Sequence, residues 1–135
     1  SSAASDVYKR QVKFIFEAKK VGYYVTLYYV GLSSIELSKQ RVAIRAARNG
    51  HSIDEATLER RFSQSFENLA RIIPICDEIY FFDNSELIED REKQKFSNLH
   101  FIAKKLDGII TVYDTEKIEW FENVIKNSKS SNIIN

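Results

Sequence analysis

The run from Tyr23 to Leu32 constrains the fold more than any other part of this chain. It is aromatic and β-branched, holds no charge, and follows directly on Gly22. Such a run suits a strand buried on both faces, as in a parallel sheet. Ahead of it, Phe14, Ile15, Ala18 and Val21 recur at helical spacing, so Val12 to Val21 reads as the tail of a helix. Gly22 ends that helix as its left-handed C′ residue. Helix, glycine and apolar strand make half of a crossover unit, which expects an earlier parallel strand. The expected class is therefore α/β with a mostly parallel, three-layer sheet, and 135 residues suffice for one domain.

Downstream, Ser33 with Glu36 reads as a capping box for a helix that runs to about Arg48 and stops at Asn49-Gly50. Ser52 with Glu55 opens a second helix, whose apolar face is Leu58, Phe62, Leu69 and Ile73 and whose end is marked by Pro74. Asp77 to Phe82 reads as a strand, Asp83-Asn84-Ser85 as a turn, and Glu86 to Ser97 as a loop or short helix. Leu99 to Lys104 and Ile109 to Tyr113 flank the hairpin signal Leu106-Asp107-Gly108. Asp114 is the expected cap of a last helix carrying Ile118, Phe121 and Ile125. Residues 12–127 form the expected domain, and 128–135 a polar tail that frays.

Composition excludes several classes. Twenty basic and nineteen acidic residues give a net charge of +1, so no global field announces a nucleic acid or a membrane. No apolar stretch approaches the roughly 18 residues of a membrane span. The single cysteine, Cys76, cannot form an internal disulfide and reads as a small core residue. No secretory pattern opens the chain, so a soluble cytoplasmic protein is expected.

The first eleven residues, Ser1 to Gln11, have no apolar periodicity and resemble the translation of a sequencing-library adapter. That implies an artefactual leader and an absent natural N-terminal part; a disordered natural terminus is the alternative. Setting aside Asp6, Lys9 and Arg10 with the leader brings basic and acidic residues into balance.

From Ser38 to His51 the chain holds Lys39, Arg41, Arg45 and Arg48 and no acid. Arg41, Arg45 and Arg48 fall at i, i+4 and i+7, which places three guanidinium groups on one helical face. His51 follows in the connecting turn, and Arg60-Arg61 lie in the next helix. If the two helices form an antiparallel hairpin, these cations converge. The structural reading is a solvated face paired with Asp54, Glu55 and Glu59. The functional reading is a polyanion site, because guanidinium forks match phosphate oxygens and hold charge at any working pH. Beside the C-terminal end of a parallel strand, such a site lies where α/β proteins bind ligands.

Arg41-Val42, Arg45, Asn49-Gly50-His51, Arg60-Arg61-Phe62, Ser65, Asn68-Leu69, Asp77 and Asp83-Asn84-Ser85 together resemble the C-terminal half of the zeta-toxin-like P-loop kinases. The similarity spans Val12 to Ser85 and weakens through Asp107-Gly108 and Trp120. It implies a P-loop fold and phosphoryl transfer from ATP with Mg2+. In zeta toxins proper the acceptor is UDP-N-acetylglucosamine. It implies Arg41 and Arg45 as catalytic lid residues that contact the transferred phosphate. Arg48, His51, Arg60 and Arg61 join them as phosphate- or nucleotide-binding residues without separate roles. A sugar-nucleotide acceptor is the implied small-molecule partner; no nucleic acid or membrane partner is expected, and nothing in the sequence supports an antitoxin.

The family's phosphate loop, G-x-x-x-x-G-K-S/T, is absent, since none of Gly22, Gly31, Gly50 and Gly108 precedes Lys-Ser or Lys-Thr. Its acidic base lies upstream of the residues present, and Ile53-Asp54 stands where a proline often follows Gly-His. The expectation is a kinase fragment that is inactive alone. A non-catalytic polyanion- or RNA-binding module is the alternative, and an interaction domain without ligand the third reading. An apolar strand left at a sheet edge would also favour self-association.

Overall fold

The computed structural model describes the backbone of residues 2–50, 53–128 and 133–134, and the side chains of residues 9–50 and 53–128. In chain order the elements are α1 (Ser2–Lys20), β1 (Thr26–Gly31), α2 (Ile35–Asn49), α3 (Glu55–Ile72), β2 (Glu78–Glu89), β3 (Lys95–Leu106), β4 (Ile109–Val112), α4 (Glu119–Asn127) and β5 (Ile133–Ile134). The strands lie side by side in that same order. β1 pairs in parallel with β2, so α2 and α3 form the crossover between them.

The chain is α/β, but its sheet is mixed rather than mostly parallel. β2–β3 and β3–β4 are antiparallel, and the two-residue β5 adds in parallel to β4. Connection length explains this. β2 and β3 are joined by a tight turn in which Asp90 Oδ1 accepts from the Glu92 and Gln94 amides at 2.9 and 2.8 Å. Lys93 sits there at φ 61°. Asp107 and Gly108 join β3 to β4, both at positive φ (53° and 75°), as the hairpin signal predicts. Neither link can hold the dozen residues a parallel crossover needs. The loop expected over Glu86 to Ser97 is therefore a two-stranded ribbon. The stretch Asp83-Asn84-Ser85 is not a turn but an irregularity inside β2, where the register with β3 slips.

Leu69, Ile72 and Ile73 of the α3 end, Ile79 and Phe81 of β2, Ile102 and Ala103 of β3, and Trp120, Phe121, Val124 and Ile125 of α4 form one core. Val12 and Ile15 of α1 pack against it. Cys76 is part of that core, and burial pushes its thiol pKa up. The opposite face of the sheet is open. Tyr28 and Val30 are 67% and 48% exposed, so β1 is buried on one face, not two. Tyr28 stacks on Tyr80 at 5.0 Å, and Phe101 lies between Tyr80 and Tyr113. β1 is also an edge strand of the sheet.

The helix ends show how the sequence sets the fold. α1 closes with Gly22 at φ 92°, whose amide donates to Lys19 O while the Tyr23 amide donates to Ala18 O. α2 starts at Ile35 and is capped by Ser34, not Ser33: the Ser34 hydroxyl accepts the Leu37 amide, while the Ser33 amide donates to Ser85 of β2. α3 is capped by Asp54, which accepts from the Thr57 amide and hydroxyl. The expected cap Ser52 lies outside the described residues. Asp114 does not cap α4, which starts at Glu119; its carboxylate instead holds His100 Nε2 at 2.7 Å and the Glu116 amide at 3.0 Å. Buried Lys105 donates from Nζ to Ile73 O and Cys76 O, both at 2.7 Å, and so satisfies carbonyls just past α3. Desolvation lowers the Lys105 pKa.

α1 runs from Ser2 with no break at residue 11, and Gln11 Oε1 accepts from Asn68 Nδ2 at 3.0 Å. Among the described residues no helix is long and apolar enough to cross a membrane.

Candidate functional site

The parallel pair β1–β2 ends with Gly31 opposite Asp83. Both residues face the core, and Trp120 meets them there. Trp120 Nε1 donates to Asp83 Oδ2 at 2.7 Å. A Cβ on Gly31 would lie 2.4 Å from the indole ring, so only glycine leaves room for it. The other Asp83 oxygen accepts the Ser85 amide at 2.9 Å. The Ser85 hydroxyl accepts the Ser33 amide at 2.8 Å, which ties the end of β1 to the β2 irregularity. These bonds fix the backbone of Asn84 and Ser85 at the C-terminal rim of the parallel pair.

α2 lies over that rim. It has no buried residue of its own, unlike α3. Arg41 is half-buried and reaches Ser85 O with Nη2 at 3.5 Å. Arg41, Arg45 and Asn84, with Ser38, Val30 and Leu32, line a depression of about 210 Å³. No carboxylate lines it. Asn84 Oδ1 is enclosed without a hydrogen-bond partner. Its polar lining is two guanidinium groups, which only donate, with a carboxamide and a hydroxyl, which donate and accept.

A second depression, also about 210 Å³, adjoins the first and shares Val30, Leu32 and Ser38 with it. Arg61 lines it together with Tyr29, Leu58, Phe62, Ser65 and Phe66. Arg41, Arg45 and Arg61 are therefore brought around the end of β1. Arg48 is exposed near the end of α2 and lines neither depression. Arg60 donates to Thr57 Oγ1 at 3.4 Å, leaves its Nε enclosed without a partner, and lines neither depression. His51 lies outside the described residues.

The acids that could have neutralised this face are engaged elsewhere. Lys39 pairs with Glu59 at 2.7 Å and Glu55 at 3.8 Å, and the Glu59 hydrogen bond pushes the lysine pKa up. Asp54 is held by Thr57, which lowers its carboxyl pKa. Among the described residues no carboxylate pairs with Arg41, Arg45 or Arg48.

Sequence reasoning found the arginines but took Asn84 for part of a turn. Its signal was the Asp-Asn-Ser string at a strand end, which reads equally as a turn or as a bulge. A larger cavity, about 660 Å³, lies between α3 and α4, and none of the predicted arginines lines it.

Among the described residues no group of three His, Cys, Asp or Glu can hold a metal. The one carboxylate at the rim, Asp83, is buried and engaged by Trp120 and Ser85. No family model, curated protein or solved structure matches the chain.

Proposed function

We propose that this chain is the phosphate-gripping part of a zeta-toxin-like P-loop kinase. Arg41 and Arg45 hold the transferred phosphate, and the missing phosphate loop leaves the chain without turnover of its own. One observation carries the reading: Arg41, Arg45 and Asn84 line a depression with no carboxylate in its lining, at the C-terminal rim of the parallel pair β1–β2. Ligands of α/β sheets bind at that rim. Arginines held there can stabilise charge that develops on a transferring phosphoryl group. Arg61 borders the same strand end. Arg48 and Arg60 contribute net positive field rather than contacts.

Calorimetric titration of the purified chain with tripolyphosphate tests the reading. Binding should weaken steeply with salt and fall at least about tenfold in the Arg41→Ala/Arg45→Ala double variant, since charge-assisted hydrogen bonds are the strong ones. Undiminished binding by that variant, with its fold intact, refutes the assignment.

The alternative, an RNA-binding module, draws on the open aromatic row of Tyr28, Tyr80, Phe101 and Tyr113, because bases stack on such rings. The cation set against that row is Lys104, 5.8 Å from the Tyr113 ring centre. A single lysine is a thin footprint for a polyanion backbone, so the kinase reading is preferred.

A further inference from the structure

The other end of the parallel pair, where β1 and β2 begin at Thr26 and Glu78, holds a cavity that the arginine rim does not use. It measures about 330 Å³ and lies among the end of α1, the link from α3 to β2 and the Asp107-Gly108 turn. That volume is at the lower end of small-molecule sites, ~300–1,000 Å³. Phe16, Tyr24, Pro74 and Ile75 give it apolar walls. Phe16 and Tyr24 are 49% and 62% exposed, so both rings stand open to solvent.

Lys105 lines the same cavity and is only 8% exposed. An ammonium group carries three N–H donors. Two of them go to Ile73 O and Cys76 O, both at 2.7 Å. Among the described residues no acceptor meets the third. A buried donor left without a partner costs free energy, and more so when it is charged. The carboxylates of the lining do not serve it. Asp77 is held by Lys19 and by the Val25 amide, the latter at 2.8 Å. Asp107 is exposed on the hairpin turn and makes no ion pair with Lys105.

We propose that this cavity binds a small monocarboxylate with an apolar body, whose carboxylate accepts the third N–H of Lys105 and whose body lies against Phe16 and Tyr24. Both carbonyl bonds of Lys105 stay in place. The ligand's charge offsets the desolvation that lowers the lysine pKa. Asp107 in the lining disfavours a more highly charged anion such as phosphate, so the site differs in class from the arginine rim.

The test titrates the whole chain with phenylacetate and, separately, with its uncharged isostere phenylacetamide, followed by NMR. Phenylacetate should bind at least about tenfold tighter, because it alone makes a charge-assisted bond. The amide resonances of Ile75, Cys76 and Gly108 should shift. Tyr24→Ala removes one wall at an exposed position and should weaken phenylacetate at least about threefold. Lys105→Met should abolish the preference for the acid. Equal affinity for acid and amide, no binding of either, or binding undiminished in Tyr24→Ala overturns the site. So does displacement of phenylacetate by tripolyphosphate, which would put the acid at the arginine rim. None of these results touches the phosphate reading, which its own titration decides. Should Lys105→Met not fold, the acid-to-amide ratio of the unmodified chain and the effect of Tyr24→Ala still decide.

Discussion

Trp120 Nε1 donates to the buried carboxylate of Asp83 at 2.7 Å, and this bond joins the last helix to the arginine-lined rim. Asp83 in turn holds the Ser85 amide, and Ser85 O accepts Arg41. The rim is thus tied to α4 as well as to α2, the helix that carries its cations. Trp120→Phe would leave one oxygen of a buried carboxylate without its donor. The expected loss is about 1–3 kcal/mol of stability, read by urea denaturation, with weaker tripolyphosphate binding. A variant as stable as the parent would show that the bond contributes nothing.

Gly31 is the counterpart of that bond. Its missing side chain admits the indole, which a Cβ would approach at 2.4 Å. Gly31→Ala should cost about 1–3 kcal/mol through overpacking. The same change in a Trp120→Phe background should cost less, because the phenyl ring lacks the indole atoms nearest the new methyl. A double-mutant cycle measures the difference, and strict additivity would contradict the contact.

Acid should destabilise the chain partly through Asp77. Its carboxyl pKa lies below the ordinary value, chiefly because Lys19 donates to it and then because the Val25 amide does. A carboxylate with a lowered folded pKa adds stability above its unfolded value, near 4, and loses it as pH falls through the folded value. Asp77→Asn should flatten that acid limb in denaturation curves taken from neutral to strongly acidic pH. An unchanged limb would place the acid sensitivity elsewhere.

The purified chain should not hydrolyse ATP when magnesium is present. No glycine of this sequence precedes Lys-Ser or Lys-Thr, so the backbone cradle for the phosphates is not present. Phosphate-release assays check this, and magnesium-dependent turnover that follows the protein through purification would contradict it.

β1 forms a sheet edge, and Thr26 to Gly31 holds neither charge nor proline. Edges of that kind pair with other chains. Sedimentation velocity should show association that grows with concentration. Tyr28→Lys, at a position 67% exposed, should suppress it. Concentration-independent sedimentation of the parent would mean that the edge is shielded.

Much of this was legible in the sequence, for local reasons. Gly22, Gly50 and the Asp107-Gly108 pair adopt positive φ, which few other residues tolerate, so they mark their turns unambiguously. α2 and α3 were visible from caps and periodicity, and β1 and β2 from their apolar, aromatic composition, but that these two strands pair with each other was not. Nor was the antiparallel ribbon. Glu89 to Lys95 is strongly charged, and both faces of the ribbon tip are solvated, so no alternation of apolar residues was required there. Caps misled by small shifts, because several polar residues stand close to each helix start. Ser34 rather than Ser33 is the cap because the helix starts at Ile35, which brings the Leu37 amide to the Ser34 hydroxyl. At the site, the arginine spacing was readable, but which arginines face the rim was not. Arg48 shares the spacing of Arg41 and Arg45 but lies nearer the end of α2 and lines neither depression.

The placement of Trp120 has an experimental consequence. It is the chain's only tryptophan, and its ring nitrogen is bonded to the segment that borders the arginines. Its emission should therefore shift or be quenched when that segment moves, so the chain carries its own optical reporter of occupancy and needs no attached dye.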